Sequence, residues 1–289
     1  MNLISEKIPA YPGPSIGAIL IDSGRLTPEA AELVVERQRA QGIRFGAAAV
    51  ELGLLGDEDI QQALARQYDY PFLMPSDESV SKEVVAAFRP FSPIVEQLRA
   101  LRSQLLLRWL DARAGRRALA IVSPDSGEGR SFIAANLAVV FSQLGQRTLL
   151  VDADLRNPRQ HELFRLPNKL GLSSVLAGRS TVAESITRIP GMIDLAVLPA
   201  GAVPPNPQEL LSRGQFAELM ASVGEQHEVV VLDTPAAAES ADHQIIAARA
   251  GGALLVARRD ISLTQRLQAL VASLQQASVT VVGSVLDNG

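Results

Sequence analysis

The stretch Ser123-Pro124-Asp125-Ser126-Gly127-Glu128-Gly129-Arg130-Ser131, SPDSGEGRS, follows the apolar run ALAIVS at 118–123 and opens the helical segment SFIAANLAVVFSQLG. A glycine-rich turn that closes a strand and opens a helix is the setting of a phosphate-binding loop. Gly127 and Gly129 let the backbone approach phosphate oxygens and aim N–H groups at them, and the helix N-terminus adds its dipole. The loop therefore places Ser126, Gly127, Glu128, Gly129, Arg130, Ser131 and Phe132 around a nucleotide, with the Ser131 hydroxyl set for Mg2+. Against the pattern G-x-x-x-x-G-K-[ST] there are two departures: Pro124 stands at the first glycine and Arg130 at the lysine. Arginine keeps the positive charge but spreads it over a planar fork, which suits holding phosphate more than following a transferring group.

Outward from the loop, apolar runs recur at 118–123, 147–154, 193–199, 228–234, 252–258 and 279–286, alternating with helical segments. Continuous apolar strands of this kind are parallel strands covered by helices on both faces. The expected fold is a doubly wound α/β domain over 92–289, with its ligand beyond the C-terminal ends of the strands. Two acidic motifs fall at such ends. LLVDADLR supplies Asp152 and Asp154, and VVVLDTPA supplies Asp233. Carboxylates there serve a Mg2+ held through waters and a nucleophile's proton. Asp152, Asp154, Asp233 and Ser131 are thus the candidate metal site, and Arg130, Asp152 and Asp154 the candidate catalytic set.

The N-terminal region is different. IGAILIDSGRLTPEAAELVVERQ (16–38) aligns without gaps on FGAAAVELGLLGDEDIQQALARQ (45–67), pairing Gly17 with Gly46, Gly24 with Gly53 and Arg37-Gln38 with Arg66-Gln67. Each unit reads as a short helix ended by glycine and a second helix opened by an N-cap, at Thr27-Pro28-Glu29 and at Asp57-Glu58-Asp59. This predicts a small helical repeat domain over 1–72. YDYPFLMPSDESVSKEV mixes proline, serine and charge, and 73–91 is expected to be a linker.

Composition narrows the function classes. A chain of 289 residues with 47% hydrophobic residues has enough apolar surface for a folded core. The net charge is only −4, with no block of like charge, so nucleic acid is not expected as a partner. The absence of cysteine excludes disulfides and thiolate metal sites and agrees with a reducing compartment. The start MNLISEKIPAYPGPS has no basic-then-apolar signal pattern, and no run reaches the roughly 18 apolar residues of a membrane span. A cytoplasmic protein is expected. His161, His227 and His243 lack metal-ligand spacing.

From about Ser92 onward the chain resembles the bacterial tyrosine autokinases (BY-kinases) of exopolysaccharide synthesis and export. SGEGRS, LLVDADLRNP and VVVLDTP stand in that family's order as its three Walker-type motifs, and GAVPPNPQELL (201–211) is similar to its proline-asparagine segment. SPIVEQLRALRSQL carries its E-x-x-R-x-x-R pattern at Glu96, Arg99 and Arg102; from spacing alone this is also a solvated helix face with i,i+3 charge pairs. The resemblance implies a P-loop fold, ATP and Mg2+ as cofactors, phosphoryl transfer to tyrosine, ring-like oligomers through Glu96, Arg99 and Arg102, and a membrane-embedded chain-length-determinant partner. That partner would bring the protein to the inner membrane and complete the active site.

Members of the family autophosphorylate a C-terminal tyrosine cluster, whereas the tyrosines here are Tyr11, Tyr68 and Tyr70 and the sequence closes on VLDNG. Two readings stay open: a kinase with weak or conditional activity and an acceptor elsewhere, or a non-catalytic, nucleotide-gated regulator of polysaccharide export. A positioning ATPase of the division-site class would carry a signature lysine where Asp125 stands. The N-terminal repeat resembles the N-terminal domain of type II secretion ATPases, some of which bind cyclic di-GMP through paired R-[LF]-G-x-x-L motifs. The second unit has Arg44-Phe45-Gly46, but the first has Ser15-Ile16-Gly17, which weakens anion contacts and ranks a protein-docking module ahead of dinucleotide binding.

Overall fold

A computed structural model describes residues 14–68 and 70–288; Tyr11 and Gly289 lie outside the described residues. The chain divides into two compact units, Met1–Pro71 and Phe72–Gly289.

The first unit contains α1 (Ile16–Asp22), α2 (Pro28–Gln41), α3 (Phe45–Glu51) and α4 (Asp57–Gln67). Ile19, Leu20, Leu26, Val34, Ala48, Ala49, Leu55 and Ala63 form its core. The repeated glycines have distinct uses. Gly24 and Gly53 both take φ of +67° after a short helix, a conformation that costs other residues a Cβ clash. Gly46 lets two helices close together, since a Cβ there would stand 2.8 Å from Ile60 Cγ2. The two caps differ: the Thr27 hydroxyl accepts from Ala30 N at 3.2 Å, whereas the second helix is capped by Gly56, one residue before the expected Asp57. There the Asp59 carboxylate reaches back to Gly56 N at 3.0 Å.

The second unit begins with α5 (Val85–Phe88) and α6 (Pro93–Arg108), then alternates: β1 (Ala118–Val122), α7 (Arg130–Ser142), β2 (Thr148–Asp152), α8 (Gln160–Leu163), α9 (Leu172–Leu176), α10 (Val182–Ser185), β3 (Thr187–Arg188), β4 (Leu195–Leu198), α11 (Pro207–Ser212), α12 (Gly214–Gln226), β5 (Val229–Asp233), α13 (Asp242–Ala250), β6 (Gly252–Arg258), α14 (Thr264–Gln276) and β7 (Thr280–Asp287). The strands form one sheet in the order β3-β4-β2-β5-β1-β6-β7. All neighbours are parallel except β3, which runs antiparallel to β4. The six apolar runs are therefore six parallel strands, and their side chains feed two cores, one on each face, as a doubly wound sheet requires.

The expected linker is not one. Val80, Val84, Ala86, Ala87 and Phe88 are buried in the core of the second unit. Leu73 N donates to Ala87 O at 2.7 Å and Ser81 N to Leu163 O at 2.8 Å. Asn136 on α7 receives Ala86 N at 2.9 Å and donates to Glu83 O at 3.1 Å. Proline and serine shape the surface of this segment, while the apolar residues at 80, 84 and 88 anchor it. Trp109 ends α6 and donates its indole N–H to Ala118 O at 2.9 Å. Its ring occupies the space that a side chain at Gly252 would need, with Cε2 overlapping the position of a Cβ there. Among the described residues, no helix is long and apolar enough to cross a membrane.

Candidate functional site

β1, β2 and β5 are adjacent in the sheet, so their C-terminal ends bring the loop, Asp152 and Asp233 to one place. A cavity of about 360 Å³ opens there, lined by Ser126 to Ser131 together with Asp154, Asn157, Arg159 and Glu239. Gly127 and Gly129 have φ of +77° and +89°, so the turn uses the conformational freedom for which glycine was singled out. Two of the expected nucleotide contacts are otherwise engaged. The Glu128 side chain is buried and accepts from Asp125 N at 2.8 Å and from the Ser262 hydroxyl, so it braces the loop. Phe132 is absent from the cavity wall and its ring packs on the core. What it retains for a ligand is an N–H in the first turn of α7, where backbone donors have no helical partner.

Arg130 is also used inside the protein. Its Nε donates to Thr234 O at 2.9 Å, and its Nη1 donates to Asp125 O at 2.7 Å and to the Ser123 hydroxyl. The side chain is turned beneath the loop and is 8% exposed. Three of the five guanidinium donors are thus engaged, one tying the loop to the end of β5 and two bracing the start of the loop itself. Further braces come from Arg258, which donates to Gly127 O at 3.1 Å, and from Arg266, paired with Asp125.

Asp152 and Asp233 face each other in register on β2 and β5, and both are fully buried. Asp152 Oδ2 accepts from Arg159 N at 3.0 Å and Gln160 N at 2.9 Å. Asp233 Oδ2 accepts from Gln160 Nε2 at 2.7 Å, and the nearby Ser131 hydroxyl opposes the effect of burial on this carboxyl. Oδ1 of each aspartate is buried without a hydrogen-bond partner. Burial, and then the neighbouring Asp233 carboxylate, push the Asp152 carboxyl well above the ordinary range. Burial likewise raises Asp233. Two buried carboxylates on adjacent strands, each with one bare oxygen and with Ser131 nearby, fit a small hard cation and its waters.

Asp154 stands apart from that pair. Its Oδ1 accepts from Arg156 N at 3.1 Å and Asn157 N at 2.9 Å, it lines the cavity, and burial raises its pKa. Among the described residues, no three acidic or histidine side chains converge as a direct metal cage. The expected set of Asp152, Asp154 and Asp233 is therefore a buried pair with a third carboxylate at the cavity wall.

Several residues at the site were not singled out by their sequence signal. Glu239 lies across the rim, accepting from the Ser126 hydroxyl and from Asn157 Nδ2 at 3.0 Å. Arg159 lines the cavity and pairs with Glu83 at 2.7 Å. Gln160, fully buried, touches both aspartates. Asn157, Arg159 and Gln160 follow Asp154 within six residues, and that proximity is the signal that could have found them; Glu239 had none.

On α6, Arg99 pairs with Glu96 at 3.1 Å as the i,i+3 spacing allows. Arg102 instead donates to Val140 O of α7 at 2.7 Å. In the first unit a groove of about 940 Å³ is lined by apolar residues such as Ile16, Val35 and Phe45 and by Glu32, Glu36 and Arg39. Arg44 is exposed and is not part of that lining.

A glycine-rich loop at a helix N-terminus, with two acidic strand ends beneath it on a doubly wound sheet, defines a nucleotide-binding α/β domain. The family model for the CobQ/CobB/MinD/ParA nucleotide binding domain matches residues 119–287. The chain is 34% identical over 201 residues to CapB of Staphylococcus aureus, covering 69% of this chain and 86% of CapB. It is 34% identical over 206 residues to the tyrosine-protein kinase wzc of Salmonella typhimurium, covering 71% of this chain and 28% of that protein. The kinase domain of Escherichia coli tyrosine kinase ETK matches with a TM-score of 0.68 and 31% identity, over 71% of this chain and 79% of that structure. The chain belongs to the CobQ/CobB/MinD/ParA nucleotide-binding family and, within it, to the bacterial tyrosine-kinase domains. It spans 26% to 29% of the length of several curated relatives that it matches.

Proposed function

We propose that this protein binds ATP with Mg2+ and acts as a tyrosine-kinase-type regulator of exopolysaccharide chain length and export, with phosphoryl transfer that is conditional on a partner. The observation that carries the proposal is the buried Asp152–Asp233 pair, each aspartate with one bare oxygen, below the phosphate-loop cavity. Ser126 to Ser131 would receive the phosphates. Ser131, with Asp152 and Asp233 through waters, would hold the cation, which when bound neutralises charge on the phosphate oxygens. Asp152 would accept the proton of an attacking hydroxyl or organise the cation's water shell, and Asp154 would face the phosphates from the wall.

The engaged guanidinium of Arg130 supports the conditional part of this reading. To follow a transferring phosphate, the side chain must release bonds to Thr234 and Asp125. A segment from a membrane-embedded partner is the kind of input that would shift that balance, with the protein on the cytoplasmic side and oligomeric through Glu96, Arg99 and Arg102. Without such a shift the same site serves a nucleotide-gated scaffold. For the first unit we favour protein docking: its groove carries two carboxylates and one guanidinium, an unfavourable balance for cyclic di-GMP, and calorimetric titration with that dinucleotide tests the point.

The main test is native mass spectrometry with Mg-ATP, with and without the cytoplasmic segment of a chain-length-determinant protein. ADP formation that depends on the segment and is lost in Asp152→Asn is the expected result. Persistent bound ATP under both conditions would leave the scaffold reading. No bound nucleotide would overturn both.

A further inference from the structure

We propose that Gln160 is a positioning residue of this site, whose side chain joins the phosphate-loop helix to Asp233 and determines which oxygen of that aspartate stays open, while its backbone N–H holds the neighbouring Asp152. The proposal rests on the nucleotide-site reading above. Gln160 begins α8 and is fully buried. Its backbone N–H donates to Asp152 Oδ2 at 2.9 Å. Its Nε2 donates to Asp233 Oδ2 at 2.7 Å and to Ser131 O at 3.1 Å. One residue therefore spans α7, β2 and β5.

The orientation of the amide is not arbitrary. Turned over, its oxygen would face a carboxylate and a carbonyl, both acceptors, and each contact would become repulsive. Nε2 occupies Oδ2 of Asp233, and the backbone N–H groups of Arg159 and Gln160 occupy Oδ2 of Asp152, so Oδ1 of both is left without a partner, as is Gln160 Oε1. Buried polar atoms are normally satisfied. Three bare acceptor oxygens among these coupled residues imply a ligand that brings positive charge or donors, such as a hydrated divalent cation.

The residue type matters as well. A lysine here would neutralise the aspartate pair and compete with a cation, and a leucine would fill the space but leave the Asp233 carboxylate without its donor. Glutamine supplies two donors and no charge, so it fastens Asp233 to the Ser131 carbonyl while preserving the attraction of the pair for a cation. Residues that orient groups around a metal in this way typically affect metal affinity by about 10- to 100-fold.

The test uses the full chain and calorimetry with ADP, in Mg2+ and in EDTA, together with thermal melts lacking any ligand. Gln160→Met, which keeps the volume, is expected to leave ADP affinity in EDTA within about twofold and to lose the Mg2+-dependent gain by about tenfold or more. Gln160→Asn, too short to span from Ser131 to Asp233, supplies a second variant should the first fold poorly, and is expected to lose the same gain. Equal losses with and without Mg2+ would mean that Gln160 only packs, and would overturn the proposal. So would wild-type behaviour in both variants. A wild-type chain that binds ADP with no gain from Mg2+ would overturn the cation-site reading itself, and this proposal with it.

Discussion

Nε of Arg130 donates to the carbonyl oxygen of Thr234 at 2.9 Å, one residue beyond Asp233, so the cation of the loop is fastened to the strand that bears an aspartate of the site. The planar fork makes this possible: the same guanidinium also reaches Asp125 O and the Ser123 hydroxyl. A lysine ammonium has three donors on one atom and cannot bridge the same set. Arg130→Lys is therefore expected to lower stability by about 1–3 kcal/mol, the scale of charged hydrogen bonds. It should also raise ADP production from Mg-ATP by freeing the charge. Denaturant unfolding and a coupled ADP assay check the two halves separately.

Asp152 yields a pH prediction with a definite sign. Its carboxyl is raised well above the unfolded value, first by burial and then by Asp233, so between the two pKa values the folded state binds more protons than the unfolded one. Stability without ligand then falls as pH rises from the unfolded value near 3.8 through the raised one. Asp152→Asn should melt higher than wild type at pH 8, with the gap narrowing toward pH 4. Mg-ADP should stabilise wild type more than the variant. A gap that widens on acidification would contradict the assignment.

Glu239 sets a negative charge at the rim of a cavity suited to anions, held by Ser126 and Asn157. Glu239→Gln removes the charge and keeps a hydrogen-bonding group. ADP affinity in EDTA should rise by about two- to fivefold, the scale of an exposed charge interaction, and the gain should shrink at 1 M salt. Binding isotherms at two ionic strengths measure it.

Gly252 gives a control far from the nucleotide. A methyl group there would collide with the Trp109 ring, which is held by its bond to Ala118 O. Gly252→Ala should cost about 1–3 kcal/mol through overpacking with ADP affinity unchanged. Urea unfolding and calorimetry on the same sample decide it.

Much of the architecture is written locally in the sequence. Six apolar runs could be placed because parallel strands buried on both faces need uninterrupted hydrophobicity, and the loop could be placed because its glycines must occupy positive φ. Asp152 and Asp233 were legible because each ends such a run. The segment 73–91 reads as a linker because composition reports surface chemistry more loudly than a few buried residues such as Val80, Val84 and Phe88. What only the tertiary structure decided are the partners of side chains. That Arg130 folds beneath its own loop, that Glu128 turns to Ser262, that Glu239 reaches Ser126, and that Gln160 bridges two strands all depend on contacts between positions far apart in the chain. Local propensity encodes a backbone path. Which buried donor meets which acceptor is settled only when the strands have been brought side by side.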